Sequence, residues 1–275
     1  MFAQSGDAKL YWESAGSGDP VLLIMGLGMA ATGWWRTVPV LAEGLRVIAF
    51  DNRGVGRSDR TTGPYSLRQM AEDTVAVMDA AKVKRASVYG LSLGAMIAQY
   101  VALRYPDRVR ALVLGASTAG GSTHELPEPE VMEFLRRRPS MPAEEAIWAS
   151  VPYNYGTATR ERHADRIGED IAQRLRFPIN PAGYRAQLAA AWGFDARDRL
   201  HEVSVPTLVL HGDEDRIVPL ANGEMLAAAI PGAQLETLEG AGHIYPTDVP
   251  EADREVLRFL TGSEMQRARA RGARA

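Results

Sequence analysis

Ala86-Ser87-Val88-Tyr89-Gly90-Leu91-Ser92-Leu93-Gly94-Ala95-Met96-Ile97-Ala98-Gln99-Tyr100 runs from a short β-prone apolar segment into a helix-forming one, with a serine at the junction. Gly90 and Gly94 stand two positions either side of that serine. A serine in a sharp strand-to-helix bend takes strained backbone angles. Glycines at those two positions remove the Cβ atoms that would strike the adjoining strand and helix. The bend therefore holds the Ser92 hydroxyl out of the sheet, towards solvent or a ligand. Gly-x-Ser-x-Gly alone is a weak signal; the flanking strand and helix give it meaning.

Outward from this bend, β-rich apolar runs recur at Val21–Met25, Arg46–Phe50, Ala111–Leu114, Thr207–Leu210 and Gln234–Leu238. Segments of helical length lie between most of them, such as Ser66 to Ala81 and Ser92 to Tyr105. Strands without polar alternation, separated by helices, predict an α/β protein with a mainly parallel sheet covered on both faces. Ala8-Lys9-Leu10-Tyr11-Trp12-Glu13 alternates instead and is expected to be an antiparallel edge strand. The pattern breaks between about Thr118 and Arg199, where prolines punctuate short helical segments. That stretch reads as a helical cap inserted after a strand. The expected organisation is one domain over 1–275, with a core of 1–118 and 200–262, a cap of about 119–199, and a flexible basic tail at 263–275.

A chain of 275 residues with 46% hydrophobic and 24% charged residues is long enough to bury a large core. Its net charge of −3 gives no reason to expect nucleic acid or an anionic membrane as partner. The absence of cysteine excludes disulfides, thiolate metal sites and a cysteine nucleophile. With no leader-like N-terminus and no apolar run of membrane-spanning length, the expectation is a cytoplasmic protein. Arg136-Arg137-Arg138 reads as a solvated helix face. Gly54-Val55-Gly56 is only a partial dinucleotide fingerprint, better explained as a turn. No cofactor and no metal are expected, the expected partner is a small molecule, and both monomer and homodimer stay open.

A serine hydroxyl is a poor nucleophile near neutral pH and needs a base within hydrogen-bond reach, oriented by a third group. Of the five histidines, His124 and His163 lie in the insertion, His201 at its end, and His211 closes a strand. His243 follows the run Gln234–Leu238 in Glu239-Gly240-Ala241-Gly242-His243, at the carboxyl end of the sheet where catalytic loops gather. His211-Gly212-Asp213-Glu214-Asp215 supplies three carboxylates. Asp215 is preferred, because Gly212 starts a turn that brings its fourth residue, Asp215, round towards the sheet and Pro219 sets up the next helix. Asp213 is the runner-up, and Glu214 is expected to face water. Acyl transfer also needs donors aimed at the developing oxyanion. The backbone N–H of Leu93 is one, and that of Leu27, in Gly26-Leu27-Gly28-Met29, is assigned as the second.

These motifs together resemble the α/β-hydrolase fold over nearly the whole chain: the glycine loop after Val21–Met25, the turn Asp51-Asn52-Arg53-Gly54-Val55-Gly56-Arg57-Ser58, the nucleophile elbow at Ser92, and the Asp215 and His243 loops. Gly90 to Leu114, with Tyr105-Pro106-Asp107-Arg108-Val109, resembles the branch of 3-oxoadipate enol-lactonases, small esterases and polyketide methylesterases. The resemblance implies a mostly parallel eight-stranded sheet and the triad order Ser92, Asp215, His243. Gly115-Ala116-Ser117-Thr118-Ala119-Gly120 holds no acid, which removes the fold's other acid position. The Asp51–Ser58 turn is then structural. One departure is Met25-Gly26, where many members have His-Gly. The expected function is a cofactor-independent serine hydrolase of a carboxylic ester or lactone. Carbon–carbon bond hydrolysis, cofactor-free haloperoxidase or perhydrolase chemistry, and a non-enzymatic ligand receptor are its alternatives. Met29, Trp34, Trp35, Trp148, Tyr153, Tyr184 and Trp192 are expected to line the acyl pocket.

Overall fold

The computed structural model describes residues 1–61 and 63–262; the basic segment 263–275, read above as a flexible tail, lies outside the described residues. Eight strands form one sheet: β1 (Phe2–Ser5), β2 (Ala8–Ala15), β3 (Asp19–Ile24), β4 (Leu45–Phe50), β5 (Ala86–Leu91), β6 (Val109–Gly115), β7 (Thr207–Gly212) and β8 (Gln234–Leu238). Their spatial order is β1-β2-β4-β3-β5-β6-β7-β8. The β1–β2 and β2–β4 pairings are antiparallel and the other five are parallel.

Successive strand residues point to opposite faces, and both faces are buried here. Leu22, Ile24, Ile48, Phe50 and Val88 join one core cluster, while Val21, Leu23, Val47, Ala49 and Tyr89 join the other. This is why the central strands read as unbroken apolar runs. Of the helices, α1 (Thr37–Leu41) lies on the second face together with α12 (Glu251–Thr261). On the first face lie α2 (Leu67–Ala80), α3 (Leu93–Arg104) and α10 (Leu220–Ala229). Helix α2 starts where the Ser66 hydroxyl accepts from the Gln69 N–H at 3.1 Å, and it buries Leu67, Met70, Ala71, Thr74, Val77 and Met78 at helical spacing. The short α11 (Tyr245–Asp248) follows the His243 loop.

Ala8–Ala15 is antiparallel as expected, but it is not the edge: β1 pairs outside it, with Phe2 opposite Tyr11 and Ser5 opposite Ala8. The two-residue turn Gly6-Asp7, with Gly6 at φ +54°, closes the hairpin. The edges of the sheet are thus β1 and β8, and Gln234–Leu238 is exposed at four of its five positions.

Between β6 and β7 the chain forms α4 (Pro129–Arg137), α5 (Ala143–Trp148), α6 (Val151–Asn154), α7 (Thr157–Arg162), α8 (Ala164–Leu175) and α9 (Pro181–Trp192). Two small apolar clusters hold these helices together. One takes in Ile147, Tyr155, Ile167, Ile171 and Ile244; the other takes in Val131, Phe134 and Leu135, with Ile217 packed against it. Ile217 and Ile244 come from the loops after β7 and β8, so the inserted helices pack directly on the ends of the sheet. Among the described residues, no helix is long and apolar enough to cross a membrane.

Candidate active site

Ser92 sits at φ 56°, ψ −119°, between β5 and α3. Its N–H donates to the Gly115 carbonyl at 2.8 Å, and its own carbonyl accepts from Ala95 N–H at 2.9 Å and from Ser117 Oγ at 3.0 Å. These bonds hold a backbone conformation that L-residues rarely adopt. A Cβ at Gly90 would collide with the backbone at Gly94, and one at Gly94 would collide with the Ile24 carbonyl oxygen. Both glycines are therefore required by close backbone packing.

The loop after β8 brings His243 Nδ1 within 2.7 Å of Asp215 Oδ2. Asp215 Oδ1 accepts from the Ile217 and Val218 N–H groups at 2.8 and 2.9 Å. With Nδ1–H donating to the carboxylate, the imidazole carries its free lone pair on Nε2. Asp213, the alternative acid, instead accepts from Gly240 N–H at 2.7 Å. His243 and Ser92 line the same cleft. No hydrogen bond joins Ser92 Oγ to His243 among the described residues.

A second histidine borders the same acid. His211 is fully buried, its Nε2 lies 2.8 Å from the Val218 carbonyl and 3.5 Å from Asp215 Oδ2. Burial pushes its pKa below the usual histidine value, against the pull of Asp215. Its four-residue spacing from Asp215 was the signal that could have found it.

In the loop after β3, the Gly28 N–H donates to Gln187 Oε1 at 2.9 Å and the Met29 N–H to the Gly26 carbonyl at 3.2 Å. The N–H groups of Leu27 and Leu93 have no hydrogen-bond partner among the described residues. The turn after β4 braces this loop. Asp51 Oδ1 accepts from Ala31 N–H at 2.7 Å, and Asn52 Nδ2 donates to the Met25 carbonyl at 3.0 Å. Met25 itself is buried in the apolar core.

Core carboxylates also grip the inserted helices. Asp248 Oδ2 accepts from Gly156 N–H at 3.0 Å and from Gly242 N–H at 2.7 Å. Glu214 is exposed, as expected, but its Oε2 accepts from Thr157 N–H at 2.6 Å, which holds its carboxyl below the usual range.

The cleft over Ser92 has a volume of about 370 Å³. Its apolar walls include Met29, Met96, Met132, Leu135, Leu188 and Trp192. Of the seven expected pocket residues, Met29 and Trp192 line it and five do not. Trp34 is fully buried below the sheet, its ring 4.8 Å from that of Tyr89. Trp35 turns away to donate from Nε1 to Asp170. Trp148 is 53% exposed, Tyr153 packs on Phe134, and Tyr184 is buried behind the Gly28 turn. Arg136 and Arg137 are solvated, whereas Arg138 is buried and borders the cleft. Asn222 also lines the cleft, tying α10 to the inserted segment through the Glu125 backbone at 2.9 Å on both its amide atoms.

The chain is similar to known proteins over most of its length. A protein of Azorhizobium caulinodans provisionally named a carbamate hydrolase, RutD, is 32% identical, over 95% of this chain and 98% of its own. The poly(3-hydroxyalkanoate) depolymerase of Ectopseudomonas oleovorans is 33% identical, over 90% and 86%. The crystal structure of the enol-lactonase from Burkholderia xenovorans LB400 superposes with a TM-score of 0.84 at 26% identity, covering 95% of this chain and all of that one. The family model for the alpha/beta hydrolase fold matches residues 19–246. The chain belongs to the alpha/beta hydrolase fold family of hydrolases.

Proposed function

We propose that the protein is a serine hydrolase that cleaves a carboxylic ester or lactone through an acyl-enzyme. The observation that carries this reading is the pairing of His243 with Asp215 at 2.7 Å on the wall of the cleft that holds Ser92 at its bend. Carbamates, hydroxyalkanoate polyesters and enol-lactones, after which the relatives are named, all present an acyl carbonyl to such a serine.

Ser92 Oγ adds to the carbonyl carbon while its proton passes to His243 Nε2. The negative charge on the carbonyl oxygen is met by the Leu27 and Leu93 N–H groups. Collapse of the tetrahedral adduct expels the alkoxide, which takes the proton from Nε2 and leaves the acyl group on Ser92. Water then adds to the acyl carbon, giving its proton to the same nitrogen, and the second collapse returns that proton to Ser92 and releases the acid. Asp215 fixes the tautomer and stabilises the imidazolium at each stage. Cofactor binding has no part in these steps.

The test is hydrolysis of a panel of p-nitrophenyl esters and lactones by the intact protein and by Ser92→Ala. A loss of roughly 10³-fold or more on the best substrate supports the reading. Equal activity, or equal inertness across the panel, refutes it.

A further inference from the structure

Arg138 ends α4 at the inner wall of the cleft with only 6% of its surface exposed, and its Nε and Nη2 have no hydrogen-bond partner. No carboxylate of the described residues forms a salt bridge with it, although Glu125 and Asp195 line the same cleft. The ionisable groups that act on it are Tyr184, Arg174 and Tyr155, none of them an acid at neutral pH. The Tyr184 ring lies 5.5 Å from its guanidinium carbon and the Phe134 ring 5.9 Å. Arg174, itself buried with Nη1 unpartnered, borders a small void that Arg138 shares, so a second positive charge sits behind the first. An arginine stays charged in a protein, and a buried charge without a partner is costly unless something supplies the opposite charge.

We propose that Arg138 recognises a carboxylate on the substrate, so that the esters or lactones cleaved carry a free acid at the acyl end. This rests on the hydrolase reading above. The placement follows from the shape of the cleft. Leu126 and Trp192, each 57% exposed, form its open mouth, whereas Arg138 and Leu135, at 6% and 9%, form its closed end. The leaving alcohol must depart before water attacks, so it lies towards the mouth. The acyl chain, retained on Ser92, reaches inward between Met132, Leu135 and Leu188 to the guanidinium, whose planar fork matches a carboxylate.

The experiment compares mono-p-nitrophenyl esters of adipic, pimelic and suberic acids with the methyl p-nitrophenyl diesters of the same acids, in which the charge is masked. Release of p-nitrophenolate gives kcat/KM for each. The free-acid ester is expected to win by roughly 30- to 1,000-fold for at least one chain length. In Arg138→Met that ratio falls to about one, and Arg138→Lys keeps part of it. The Tm of Arg138→Met does not fall, because an unpartnered buried charge is removed. A ratio near one in the unmodified protein, or a ratio that survives Arg138→Met, overturns the proposal. So does a lower Tm with the ratio intact, which would mark the arginine as structural. If no ester is cleaved in a Ser92-dependent way, the hydrolase reading fails by itself. Calorimetric titration of adipate then decides the anion site: binding that Arg138→Met abolishes supports it, and no binding to the unmodified protein overturns it.

Discussion

Asp253 lies in the first turn of α12, 1% exposed, with Oδ1 lacking any hydrogen-bond partner. Burial pushes its carboxyl from 3.8 up to about 7, against a smaller opposing effect of the Thr37 side chain. A carboxyl whose folded pKa is raised binds its proton more tightly in the native state than in the unfolded chain. Its contribution is therefore intact below about 4 and is lost as pH rises towards 7. At about 1.4 kcal/mol for each pH unit between the two values, the full loss is about 4 kcal/mol. Asp253→Asn removes the titration while nearly preserving shape. The variant is expected to match the parent near pH 4 and to exceed its stability by up to about 4 kcal/mol at pH 8. Urea unfolding of both proteins at pH 4, 5, 6, 7 and 8 measures the difference. A difference that does not grow with pH would refute the reasoning. A parent that is the more stable at pH 8 would show that the ionised carboxylate has a partner in the native state. The group also influences Tyr89 and Tyr245, whose hydroxyls lie 2.7 Å apart, and Tyr245 follows His243 by two residues.

Gly94→Ala puts a methyl group against the Ile24 carbonyl oxygen, part of rigid β3, and is expected to destabilise by about 3 kcal/mol or more, read as a fall in Tm. Asp215→Asn can still accept from Ile217 and Val218 but presents an amide to His243, favouring the wrong tautomer; kcat should fall roughly 10³- to 10⁴-fold with the circular dichroism spectrum unchanged. Asp248→Ala strands the Gly156 and Gly242 N–H groups, and chemical unfolding should show a loss of about 2 kcal/mol. Burial raises the Asp248 carboxyl and the bonds from Thr159, Gly242 and Gly156 oppose it only in part, so its contribution to stability falls as pH rises through the folded value.

The parallel sheet and the elbow at Ser92 were legible because their signals are local: apolar runs buried on both faces, and two glycines forced by backbone contact. Asp215 and His243 could be located because loops at the carboxyl ends of parallel strands converge. The strand Phe2–Ser5 was missed, although Gly6-Asp7 is a hairpin signal, because four residues make a weak pattern. The cleft lining was read poorly for a different reason. Which face an aromatic presents depends on neighbours distant in the chain: Trp34 packs on Tyr89, and Trp35 reaches Asp170, 135 residues away. Arg138 follows two solvated arginines, and only the path of the chain after α4 turns it inward.

The grip of Asp248 on both Gly156 and Gly242 bears on how this protein can be engineered. Here one carboxylate clasps the inserted helices and the His243 loop together, and Glu214, next to Asp215, clasps the following inserted residue, Thr157. A lid transplanted from a relative between residues 119 and 199 would disturb the register of His243 unless residues 212–215 and 240–248 travelled with it. The transferable unit is discontinuous, three segments of chain moved as one, and chimaeras cut along the boundaries of the insertion should fold with His243 misaligned against Asp215.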